Sequence, residues 1–150
     1  MLSYKEKALE ILKTNRFRIT KPREHILELL EKSKEPLNPY EMKELLDKKK
    51  NKIDIVSIYR ILKCLEDNSL VHKVLSTNKF AKCQIEHEDK CTKHGEHHCH
   101  HLLICERCDS TEEVHCAGIN SIIKTLEKSS DFKIKRHNLE FYGLCSKCGK

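Results

Sequence analysis

The chain has 150 residues, with 29 Lys and Arg against 23 Asp and Glu, a net charge of +6 and no tryptophan. That length holds one domain or two small ones, each marginal without a metal or a partner subunit. Lys5, Glu6 and Lys7 interrupt the chain before any apolar run develops, which predicts no signal peptide, no membrane span and a cytoplasmic location.

Charge and potential ligands are segregated. Residues 1–75 carry 17 basic and 12 acidic side chains, net +5, whereas residues 76–150 carry 12 and 11, net +1. Of nine cysteines and ten histidines, only His25, His72 and Cys64 precede residue 76. The chain reads as a basic front half and a metal-rich back half.

Helical periodicity dominates the front. Tyr4, Ala8, Leu9, Ile11 and Leu12 form one apolar stripe that ends near Asn15. A second helix is predicted after Thr20, with Pro22 in its first turn and Ile26, Leu27, Leu29 and Leu30 inward. Asn38-Pro39-Tyr40-Glu41 predicts a helix start, with Asn38 as N-cap and Glu41 closing a capping box. Met42, Leu45 and Leu46 form its buried face before the Lys48-Lys49-Lys50-Asn51-Lys52 run breaks it. A fourth helix runs from about Asp54, buries Ile58, Ile61, Leu62 and Leu65, and stops at Asn68, which tolerates a left-handed turn. Leu70–Val74 and Lys79–Lys82 then alternate as a β-hairpin.

This order is that of a winged helix-turn-helix over residues 1–82. In such a domain the fourth helix enters a DNA major groove and the hairpin lies along the backbone. Ser57, Tyr59, Arg60 and Lys63 on its outward side offer donors to phosphates and base edges, and Lys21 and Arg23 can grip phosphate from an earlier helix. A protein–protein module of the same shape is the other reading.

Residues 83–150 read as a small α+β dimerisation domain. His101–Ile104 predicts a strand running into Cys105, and Thr111–Val114 its partner. Ile119, Ile122, Ile123 and Leu126 share one helix face, and Phe132–Leu144 alternates loosely as a strand ending at Cys145. A small sheet with an apolar helix face calls for a twofold partner. Cys105/Cys108 and Cys145/Cys148 each have the Cys-x-x-Cys spacing that aims two thiolates at one ion about 2.3 Å away, and two such turns complete a tetrahedron. In a reducing compartment this favours a closed structural zinc site over disulfides or redox dithiols. A catalytic zinc keeps an open position and a general base, so no enzyme is predicted.

Five segments carry a family resemblance over nearly the whole chain: Arg18-Ile-Thr-Lys-Pro-Arg23, Ser57-Ile-Tyr-Arg-Ile-Leu62, Leu70-Val-His-Lys-Val74, Ile104-Cys-Glu-Arg-Cys108 and Arg136-His-Asn-Leu-Glu-Phe-Tyr-Gly-Leu-Cys-Ser-Lys-Cys148. The chain resembles the ferric uptake regulator family, and its zinc uptake regulator branch most. The resemblance implies a cytoplasmic homodimer that binds a palindromic DNA operator when metal-loaded, represses metal-uptake genes and holds at least two Zn²⁺ per protomer. It also implies a regulatory ion between the two domains on His72, Cys83, His98 and Glu113, with His97, His100 and His101 competing for the place of His98. Zn²⁺ accepts such mixed S, N and O donors.

The iron- and peroxide-sensing branches use a histidine before the third helix, where this chain has Lys34-Glu35-Pro36-Leu37, and another where it has Leu102. An iron- or peroxide-responsive regulator is therefore the runner-up, and a zinc-stabilised interaction module the reading from another class. A further family site maps to Cys99, His101, Asn120 and His137, and Asn120 is a weak zinc ligand. Cys91, His94, His97 and Cys99 fall in the polar stretch 86–99, read either as a metal-scavenging loop or as a surface insertion. Cys64 and Cys116 are read as structural thiols.

Overall fold

The structure, a computed structural model, describes residues 2–83, 101–114, 118–134 and 137–150. The chain divides into two compact units, Met1–Glu86 and His87–Lys150.

Four helices and a hairpin build the first unit. Helix α1 (Tyr4–Thr14) opens on a capping box in which the Ser3 hydroxyl accepts the Glu6 N–H and the Glu6 carboxylate accepts the Ser3 N–H. Helix α2 (Lys21–Lys32) follows Thr20 as predicted, yet the Thr20 side chain makes no capping bond and Pro22 in the first turn sets the start. Helix α3 (Pro39–Lys48) has the predicted box: Asn38 Oδ1 accepts from Tyr40 and Glu41 N–H, both at 2.9 Å, and Glu41 accepts from Asn38 N–H at 2.7 Å. Asp54 caps α4 (Ile55–Asp67) by accepting the Ser57 N–H at 2.8 Å. The end of α4 differs from expectation. Asn68 keeps φ at −99°, and Ser69 takes the left-handed turn at φ 56°.

Strands β1 (Val71–Val74) and β2 (Lys79–Lys82) pair antiparallel with His72 opposite Ala81. Leu37 adds a bridge to Phe80. The core gathers Leu12, Ile26, Leu27, Leu30, Met42, Leu46, Ile58, Leu62, Leu65 and Leu70, all at most 2% exposed. Burying each stabilises the unit by about 1.5–3 kcal/mol before conformational entropy is set against it. Because Ile58, Ile61, Leu62 and Leu65 turn one face of α4 inward, Val56, Tyr59, Arg60 and Lys63 form its exposed stripe at i, i+3, i+4 and i+7.

The described residues of the second unit form a three-stranded sheet in the order β4-β3-β5 and one helix. β3 (His101–Cys105) pairs antiparallel with β4 (Thr111–Val114) and parallel with β5 (Leu139–Gly143), Cys105 lying opposite Gly143. A parallel pair needs a crossover, and α5 (Ile119–Ser130) supplies it. The loose alternation expected over 132–144 contracts to the five residues of β5, because residues 132–134 lie outside any strand. None of the α5 side chains is buried, and Ile122 and Leu126 are 54% and 50% exposed.

Candidate metal centres and nucleic-acid interface

The parallel register between β3 and β5 decides where the two Cys-x-x-Cys turns meet. Cys105 is the last residue of β3, Gly143 is its partner on β5, and Cys145 follows two residues on, so both turns leave the sheet at one end. All four sulfurs lie within 4.8 Å of one another. A tetrahedron with metal–sulfur bonds of about 2.3 Å has edges of about 3.8 Å, and the Cys108–Cys145 separation is 3.8 Å. The donor set is therefore already spaced for Zn²⁺.

Backbone amides prepare the sulfurs. Donation from the Cys145, Cys108 and Arg107 N–H groups pulls the Cys105 thiol down to about 6. The Lys147 and Cys148 N–H groups lower Cys145 in the same way. Cys148 is pushed up to about 12, chiefly by its hydrogen bond with Cys145. Such a cluster holds shared protons that a cation displaces. Arg107 ties the two turns by donating to the Cys148 carbonyl at 2.8 Å.

A second pair of donors sits on the wing of the first unit. Cys83 N–H donates to the Leu70 carbonyl at 3.0 Å, extending the ladder one step beyond β2. His72 is paired with Ala81, so His72 and Cys83 are diagonal neighbours on one face of the hairpin. Their ligand atoms lie within 4.8 Å. Burial pushes the His72 imidazole down to about 4, with Glu66 opposing the shift, and pushes the Cys83 thiol up to about 12. The imidazole is thus in its ligating, neutral form at pH 7, and the thiol must release a proton to bind metal. Sequence reading missed Tyr4, which anchors this corner. Its hydroxyl donates at 2.6 Å to the same Leu70 carbonyl that accepts from Cys83. Burial, with Cys83 and Glu31 nearby, raises its pKa and keeps it a donor.

Glu113 lies half-buried on β4 opposite Leu102. His101, at 0% exposure, and His137 bring their rings to 5.5 Å, whereas Asn120 is exposed on α5. His98, Cys99, Cys91, His94, His97, His100 and Cys116 lie outside the described residues.

The six residues read as DNA contacts differ in availability. Tyr59 and Arg60 stand on the exposed stripe of α4, and Lys21 is exposed at the start of α2. Ser57 Oγ donates to Asp54 at 2.6 Å and so belongs to the helix cap. Lys63 bridges to Asp67 at 2.6 Å. Arg23 folds back, its guanidinium 5.7 Å from the centre of the Phe17 ring and donating to the Arg18 carbonyl, so it braces the turn between α1 and α2. Val56, 54% exposed, joins the stripe as an apolar member with no donor to offer.

A winged helix joined to a small sheet that carries a cysteine quartet describes a metal-dependent regulator in general outline. Residues 14–142 match the model of the ferric uptake regulator family, and the chain belongs to that family, whose members are transcriptional regulators and not enzymes. It is 29% identical to the zinc uptake regulation protein of Escherichia coli (strain K12), over 87% of this chain and 72% of that protein. It is 27% identical to the ferric uptake regulation protein of Bacillus subtilis (strain 168), over 91% and 89% respectively. Among solved structures it is similar to a zinc uptake regulator complexed with zinc and DNA, with a TM-score of 0.84 and 26% identity, covering 97% of this chain and 92% of that one.

Proposed function

We propose that this protein is a zinc-responsive repressor which, as a metal-loaded homodimer in the cytoplasm, binds a palindromic operator and controls metal-uptake genes. The observation that carries the reading is the pair of half-buried His72 and buried Cys83 on the wing, a nitrogen and a sulfur donor within 4.8 Å. A thiolate with an imidazole favours zinc over the harder donor sets that suit six-coordinate Fe²⁺ or Mn²⁺. Glu113 and His98 complete the regulatory set. Cys105, Cys108, Cys145 and Cys148 hold the structural ion, giving at least two Zn²⁺ per protomer, and His101 with His137 and Cys99 forms the candidate for a further one. When bound, zinc supplies a fixed tetrahedral cross-link and no redox chemistry. The uncovered apolar face of α5 suits a second copy of the chain.

The runner-up, an iron- or peroxide-responsive regulator, draws support from the comparable likeness to a ferric uptake regulation protein. Against it, Leu102 stands buried on β3 where those branches carry a histidine. Mobility-shift assays on duplexes selected from a random pool, run with zinc, with ferrous iron and with chelator, separate the readings. Retardation by zinc alone supports the proposal. Retardation by iron alone transfers it to the runner-up, and none at all leaves only an interaction module.

The wing pair makes a pH prediction. Above pH 7 His72 has no proton to lose, whereas Cys83, raised to about 12, must give one up to the incoming ion. The affinity of the regulatory site therefore climbs as pH rises, about tenfold per unit between roughly pH 7 and 9. Competition against a chromophoric chelator, corrected for its own protonation, measures the slope. A flat profile would remove Cys83 from the ligand set.

The two classes of DNA contact separate by salt. Arg60→Ala is expected to cost about 1–3 kcal/mol on selected duplex and little on scrambled duplex, as loss of a base contact does. Lys21→Ala is expected to weaken both alike and to flatten the log affinity against log salt slope by about 0.9. Equal binding of selected duplex by Arg60→Ala and wild type would show that α4 is not the reading element.

A further inference from the structure

Three helices of the first unit end on the same backbone device, none of them on glycine and two of them on a long cationic residue. After α1, Phe17 N–H reaches the Leu12 carbonyl at 2.8 Å and Arg16 stands at φ 62°. After α3, Asn51 N–H reaches the Leu46 carbonyl at 3.0 Å and Lys50 stands at φ 61°. After α4, Leu70 N–H reaches the Leu65 carbonyl at 2.9 Å and Ser69 stands at φ 56°. Each is a Schellman turn, whose left-handed position is normally glycine because a Cβ there crowds the following carbonyl. The other left-handed residues, Asn78, Asp109 and Asp131, are types whose short polar side chains suit that region.

Among the described residues, no ion pair repays arginine or lysine at these two places. Both side chains are exposed. The helix dipole does not call for them, because Lys13 and Lys48 already occupy the last turns of α1 and α3. Their location is what they share. Asn15, next to Arg16, donates at 2.8 Å to Asn68, which caps the C-terminal end of α4. Lys50 lies in the turn that leads into Asp54, the N-cap of α4. A cation therefore stands beside each end of a thirteen-residue helix whose exposed stripe runs between them, about 20 Å from one end to the other.

We propose that Arg16 and Lys50 are a pair of phosphate clamps flanking α4, retained at a cost to the stability of the folded protein because they hold duplex DNA on either side of the reading face. The proposal rests on the DNA-binding reading and adds to it two residues that contact the backbone irrespective of sequence.

The two consequences have opposite signs, which makes the test sharp. Arg16→Gly and Lys50→Gly remove both the charge and the strain, and Arg16→Asn keeps a residue at home in the left-handed region while removing the charge. Each zinc-loaded variant is compared with wild type in thermal denaturation and in anisotropy titrations of a fluorescein-labelled mixed-sequence duplex at several salt concentrations. The expected result is a raised melting midpoint together with weaker binding and a log–log salt slope reduced by about 0.9 for each cation removed. Arg16→Lys, which keeps charge and strain alike, should retain the wild-type slope and midpoint. A raised midpoint with an unchanged slope would overturn the clamps, and a lowered midpoint would overturn the claim that the fold gains nothing from these residues. Failure of wild type itself to hold the duplex would instead sink the DNA-binding reading.

Discussion

Replacing Cys145 by Ser is expected to abolish the tightly held zinc and unfold or aggregate the second unit. Structural zinc in small domains contributes about 10–16 kcal/mol of apparent binding free energy at pH 7, comparable with or larger than the whole stability of a small domain. The second unit has little to set against that loss, since α5 buries none of its side chains within the protomer. Metal analysis after gel filtration, with circular dichroism, is the measurement. A soluble, dimeric Cys145→Ser protein free of zinc would overturn the structural role of the quartet.

Cys83→Ser should leave that ion, the helical content and the dimer in place and remove the response to zinc. The chain's own donors favour the DNA-competent arrangement only if the ion binds it better than the alternative. Couplings of this kind are worth about 5- to 150-fold in affinity, and that is the loss expected on selected duplex at fixed free zinc. His72→Ala should lose the same factor. Should Cys83→Ser hold the duplex as tightly as wild type at equal zinc activity, the regulatory site lies elsewhere, with His101 and His137 the next residues to change.

Local chemistry made the first unit legible. Asn38-Pro39-Tyr40-Glu41 satisfies orphan amides within four residues, and the α4 apolar spacing needs no knowledge of its surroundings. The same rule explains the errors. Asn68 was a better candidate for the left-handed turn than Ser69, but Asn68 side chain and backbone are both engaged with the Cys64 carbonyl, and the turn falls one residue later. Strand β5 was overdrawn because alternation says nothing about where pairing with β3 begins. In the sites, spacing sufficed for the two Cys-x-x-Cys turns, whereas it took the hairpin register to bring His72 beside Cys83. Tyr4 was out of reach, since the hydrogen bond that matters spans 66 residues. Arg23 and Lys63 read as free cations because their partners, an aromatic ring and an acid one turn away, compete silently for them.

The parallel pairing of β3 with β5 has a temporal consequence. Cys108 and Cys145 are separated by 37 positions, so each half of the quartet comes from neighbours in the chain but neither half can complete the set alone. An ion captured first by Cys105 and Cys108 would wait, with two sulfur ligands, until α5 had folded across and β5 had found its register. Closing a loop of that size costs about 4 kcal/mol of chain entropy in the unbridged state, which the bound ion removes from the balance thereafter. Assembly is then slow and long-range, as parallel pairings are, while escape requires two turns to open together. Four-sulfur coordination would thus be completed only as a late step of folding and lost only when the two turns part, so the lifetime of a bound ion and the lifetime of the fold would become one quantity.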